Sequence, residues 1–118
     1  MKTYFVDSFT SQKFKGNPAA VCIVENDLDN TMMQSIATEI GFSETAFIKN
    51  IESNTYSIKF FTPKMEISLC GHATLAASKI LFDTTDLQNI TFINSENQIL
   101  VFKKSEIVKK KRSNPAFI

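Results

Sequence analysis

ATLAASKILF, residues 73–82, is the stretch on which the fold turns. It is apolar nearly all round, it is built from good helix formers and small residues, and Lys79 is its single charge. A helix without a polar face belongs inside a structure, so the segments around it must supply the walls.

Those segments read as strands. Upstream, residues 45–50 (TAFIKN) and 55–61 (TYSIKFF) alternate and are rich in β-formers. The polar IESN between them predicts a hairpin that ends at the Thr62–Pro63 break. Downstream, residues 89–94 (NITFIN) and 98–102 (QILVF) predict another pair around the turn-like SEN. At the start, residues 3–9 (TYFVDSF) and 19–24 (AAVCIV) flank FKGNP, dense in turn formers, and predict strand, turn, strand. A second helix follows: Asp29 and Asn30 offer caps ahead of Met32, Met33, Ile36, Ala37 and Ile40, an apolar stripe that Gly41 can terminate. The pattern is α+β, several strands around one buried helix, with no internal repeat or low-complexity segment.

With 118 residues, 43% hydrophobic and 21% charged, the chain suits one domain with a core. The absence of a long uncharged apolar run argues against a membrane span or a signal peptide. Two cysteines, Cys22 and Cys70, match neither a disulfide scaffold nor a CxxC zinc site, which points to a reducing, cytoplasmic setting. Net charge is +1, but residues 103–112 (KKSEIVKKKR) carry +5, leaving −4 on residues 1–102. An acidic body lacks the extended positive surface of a nucleic-acid binder; only the basic run could serve, and its ordinary reading is a solvated end.

The chemistry-bearing residues cluster in two places. LCGHAT puts Cys70, Gly71 and His72 at the start of the apolar helix, where N–H groups lack intrahelical partners and the dipole favours an anion such as a carboxylate. Gly71 lets a ligand approach the backbone, and His72 is the single histidine of the chain. The plain alternative for His72 is a helix-start side chain bonded to nearby backbone. Cys70 is either a thiol activated by the helix terminus or a small core residue. In GFSETAF, Glu44 stands beside Ser43 and between two phenylalanines. A carboxylate among aromatic rings can both take and give a proton near neutrality, whereas the ordinary alternative is an exposed loop acid. Glu66 and Asp7 read as solvent-facing acids. One histidine and two distant cysteines do not make a zinc site.

Four segments, YFVDSF (4–9), FKGNPAAV (14–21), FSETAF (42–47) and FFTPKMEISLCGHATLA (60–76), occur together in this order. Their conjunction resembles the PhzF-like family of phenazine-biosynthesis isomerases, relatives of diaminopimelate epimerase, over residues 1 to about 102. The resemblance implies an isomerase or epimerase that shifts a proton next to a carboxylate-bearing carbon, without metal or cofactor. It implies a site between two similar lobes, each a strongly curved, mostly antiparallel sheet wrapped round a central helix, here the apolar one.

Carried over, Glu44 matches the glutamate that shuttles the proton, and Gly71 and His72 match the pair that contacts the substrate at the helix start, His72 sharing the catalytic role. Ser43 sits beside the glutamate as a further substrate contact. The epimerase and proline-racemase relatives use a cysteine base at the position Cys70 resembles; here the resemblance favours Glu44 and leaves Cys70 structural.

Family members run to well over twice this length. Their second lobe supplies an aspartate and a glycine-serine anion contact, so pairing with a second lobe or a homodimer is expected. The expected division is a lobe at 1–102 and a basic tail at 103–118 that resembles nothing in the family and reads as truncated or irregular. The competing reading is a non-catalytic lobe that binds carboxylates or assembles with itself.

Overall fold

Two kinds of connection organise the molecule, hairpins and helical crossovers. The computed structural model describes residues 1–6 and 18–106. In chain order the elements are β1 (Lys2–Val6), β2 (Ala19–Ile23), α1 (Asn30–Ile40), β3 (Glu44–Glu52), β4 (Thr55–Phe61), β5 (Glu66–Ile67), α2 (Gly71–Thr84), β6 (Asn89–Ile93) and β7 (Ile99–Lys103). They form one sheet in the order β1-β2-β3-β4-β6-β7, and β5 pairs with β4.

The two parallel pairs, β2 with β3 and β4 with β6, are the two joined through helices. Parallel neighbours need such a crossover, whereas the antiparallel pairs do not. Both crossovers advance in the same direction across the sheet, but β2 and β4 run oppositely. Right-handed crossovers then place α1 and α2 on opposite faces.

The cores show that separation. On one face Ala46, Ile48, Ile58 and Phe60 pack with Ala73, Ala77, Leu81 and Phe82 of α2, together with Ile90 and Phe92. On the other, Cys22, Val24, Phe47 and Phe61 pack with Met33 and Ala37 of α1. Period-two alternation along each strand divides its side chains between the two cores.

Local signals set the helix ends. Asp29 caps α1, its Oδ1 accepting from the Met32 N–H at 2.7 Å. Gly41 closes it at φ 76°, its N–H bonded to the Ala37 carbonyl. In α2, Ala73, Ala76 and Ala77 are buried, and the buried hydroxyls are satisfied within the helix. Thr74 donates to the Cys70 carbonyl at 2.6 Å and Ser78 to that of Leu75 at 2.7 Å.

The structure extends α2 to residues 71–84, past the apolar run at both ends. It also adds β5, a two-residue strand too short to show a period. β7 and its flank carry the sheet past the boundary expected at 102, since Lys103 pairs with Asn89 and the Lys104 N–H donates to the Gln88 carbonyl. Asp7, the turn residues 14–17 and most of the basic tail lie outside the described residues. Among the described residues no helix is long and apolar enough to cross a membrane.

Candidate functional site

Glu44 is the first residue of β3, three positions after the glycine that ends α1. Its register partner is Ala19, whose side chain belongs to the core on the α2 face, so the carboxylate is directed to that face. Glu44 is half-buried at a strand end rather than exposed in a loop, and its Oε2 is buried without a hydrogen-bond partner among the described residues.

The start of α2 meets it. Cys70 is the N-cap, its Sγ accepting from the Ala73 N–H at 3.5 Å. The Glu44 carboxylate lies close enough for its charge to act on the Cys70 side chain. Burial, and after it the charge of Glu44, push the Cys70 thiol above its ordinary value, against the pull of the helix N–H groups. The sulfur therefore keeps its proton at neutral pH and can donate it to the carboxylate. That is the opposite of the activation a helix terminus gives an isolated thiol.

Gly71 is exposed at the first position of α2, and a Cβ built there meets no described residue within 4 Å. Its φ is not in the left-handed region, so neither backbone conformation nor packing requires glycine. Ser43 is exposed and His72 half-buried. The structure thus brings Glu44 to the Cys70–Gly71–His72 segment, and among the described residues the space at Gly71 is open. No acidic residue occupies the first turn of α2 itself, and Glu44 is the carboxylate that acts on its N-cap.

Other candidates fall elsewhere. Glu66 is half-buried, not solvent-facing as its sequence context predicts. Its pairing with Phe61 directs it to the α1 face, where Oε1 accepts from Asn30 Nδ2 at 3.0 Å while Asn30 Oδ1 accepts from Lys59 Nζ at 2.9 Å. Cys22 is buried on the same face, its thiol pushed up by burial. Among the described residues no group of three or more His, Cys, Asp or Glu is placed to hold a metal ion. Two features have no signal in spacing: the Cys70–Glu44 pairing, and Asn94, whose side chain reaches the Ser68 carbonyl just before the helix cap.

Residues 6–111 match the family described as phenazine biosynthesis-like protein, PhzC-PhzF. An uncharacterized isomerase of Halalkalibacterium halodurans is 44% identical over 106 residues, which are 87% of this chain and 40% of that protein. A human phenazine biosynthesis-like domain-containing protein is 42% identical, over 81% of this chain and 36% of its own length. The crystal structure of a PhzF-family protein from Enterococcus faecalis superposes with a TM-score of 0.77 at 42% identity, covering 86% of this chain and 39% of that one. A predicted epimerase from Pseudomonas aeruginosa shares the fold, with a TM-score of 0.75 at 22% identity. The chain spans about two fifths of the length of the relatives it matches.

Proposed function

The chain belongs to the phenazine biosynthesis-like (PhzC-PhzF) family, and on that premise we propose that it forms one wall of an isomerase or epimerase site in which Glu44 moves a proton beside a substrate carboxylate. The observation that carries this reading is the meeting of Glu44 with the start of α2, two segments far apart in sequence that share no structural need for a carboxylate.

In this reading the start of α2, at Gly71 and His72, holds the substrate carboxylate, and Ser43 flanks it. Glu44 takes a proton from the carbon alpha to, or conjugated with, that carboxylate. The electron pair left behind delocalises toward the carboxylate, where the helix terminus stabilises the added negative charge. Glu44 returns the proton to the same carbon or to a conjugated one, so atoms and electrons balance with no oxidant and no cofactor. His72 assists at the helix start as a hydrogen-bond partner of the substrate. Cys70 steadies the carboxylate of Glu44 and is not the base.

The curved sheet cradles α2 so that a second lobe, or a second copy of this chain, closes the site from the other side in a cytoplasmic enzyme. A second reading is a lobe that binds carboxylates without turnover. The exposure of Ser43 and Gly71 favours it, since water reaches both residues.

The test is deuterium incorporation from D2O into a panel of amino- and hydroxy-substituted carboxylic acids, read by mass spectrometry, for the chain and for Glu44→Gln. Exchange that the substitution abolishes, with an unchanged fold by circular dichroism, supports the isomerase reading. Equal exchange in the variant overturns the role of Glu44. Binding without exchange in either protein selects the carboxylate-binding lobe.

A further inference from the structure

Asn94 is 4% exposed and lies at the start of the connection between β6 and β7. Its carboxamide is fully used: Oδ1 accepts from the N–H groups of Glu96 at 3.1 Å and Gln98 at 2.8 Å, and Nδ2 donates to Gln98 Oε1 at 2.8 Å and to the Ser68 carbonyl at 3.0 Å. The first three bonds build the turn, in which Asn97 takes a φ of 61°. The fourth leaves it and crosses to the segment between β5 and the Cys70 cap.

A turn of this kind needs the two acceptor bonds from Oδ1; it does not need the bond to Ser68. On either side of it Ile67 and Cys70 pack against the α2-face core. β5 contributes two ladder positions, Phe60 with Ile67 and Phe61 with Glu66, and Leu69 is exposed. Beyond it the chain must deliver Cys70 Sγ to Glu44 and to the first N–H groups of α2 together.

We infer that Asn94 is a positioning residue: its Nδ2 bond to the Ser68 carbonyl fixes the approach to α2 and thereby sets Cys70, Gly71 and His72 against Glu44. Its importance for catalysis rests on the function proposed above, whereas its effect on the geometry of the helix start does not.

Asn94→Asp tests this directly, because aspartate keeps both acceptor bonds of the turn and loses the donor to Ser68. Gln98→Ala is the control; it removes the other Nδ2 partner and leaves the Ser68 bond. Two readouts are taken on the full chain: the amide shifts of Gly71 and His72 by NMR, and the pH profile of Cys70 alkylation by iodoacetamide, with the modified cysteine identified by mass. Asn94→Asp is expected to move both amides and to raise the alkylation rate at pH 8 about threefold, as the thiol leaves its buried setting beside Glu44. Gln98→Ala should leave both readouts unmoved.

Unmoved amides and profile in folded Asn94→Asp, or equal shifts in both variants, would overturn the inference. Should the aspartate variant not fold, the unmodified chain decides. The Asn94 carboxamide protons should exchange with solvent at least tenfold more slowly than those of exposed Asn97, and equal exchange refutes the clamp. Isomerase activity enters none of these readouts, so failure of the positioning role and failure of the proposed function remain separate results.

Discussion

Replacing Gly71 with alanine separates what the fold needs from what a ligand needs. The added Cβ meets no described residue within 4 Å, and Gly71 is not in the left-handed region, so the described lobe has no steric objection to a methyl group. Alanine also restricts the unfolded chain and favours helix, an effect of about 0.5–1 kcal/mol at interior helical sites. At the first position of α2 about 0.3–1 kcal/mol is the fitting range, and for a chain of 118 residues it raises Tm by about 1–5 °C. The same methyl projects into the open space over the helix start, where a carboxylate must come within hydrogen-bonding distance of the N–H groups. Sodium benzoate, titrated while the amide shifts of residue 71 and His72 are followed, should bind the variant at least about tenfold more weakly, a loss of about 1.4 kcal/mol. A variant that is more stable yet binds less is the expected result. A Tm lowered by several degrees would show that the backbone requires glycine, and equal benzoate affinity would show that the space is not a ligand site.

Glu44→Gln should lower the midpoint of Cys70 alkylation against pH, because it removes the negative charge that holds the thiol up; an unchanged midpoint would deny the pairing. Both thiols are raised in the folded chain, so their contribution to stability is fully present below the unfolded thiol value and is lost as pH rises through the folded values. Calorimetry between pH 7 and pH 10 should therefore show an alkaline fall in Tm that is smaller in a variant with Cys22→Ala and Cys70→Ser. Phe92→Ala should cost about 3–5 kcal/mol in urea unfolding, since the ring is fully buried against Phe102 and Tyr56. Phe5→Ala, at a ring 63% exposed, should cost far less.

The family signature in TPKMEISLCGHAT and the capped helices could be read without coordinates because each rests on neighbours in the chain. Asp29 and Gly41 mark the ends of α1, and alternation marks β3 and β4, through interactions that reach no further than a few residues. The same reasoning placed Gly71 and His72 at a helix start and proposed Glu44 as their partner by resemblance.

What spacing could not decide were orientations set across the sheet. Whether Glu44 faces α2 or solvent depends on its register with Ala19, and whether Glu66 joins it depends on a pairing with Phe61 that turns it to the opposite face. The behaviour of Cys70 followed the same rule. A helix N-terminus alone predicts a lowered thiol, and only the fold supplies the burial and the glutamate that raise it. Asn94 reads in sequence as one residue of a turn, because its bond to Ser68 spans segments that the chain brings together only after α2 has crossed the sheet. The elements, the ends of α1 and the residue types at the start of α2 are legible in the chain alone, since they depend on local backbone chemistry. Which carboxylate meets which helix terminus, and in what protonation environment, was decided by register and crossover handedness, which exist only once the whole sheet has formed.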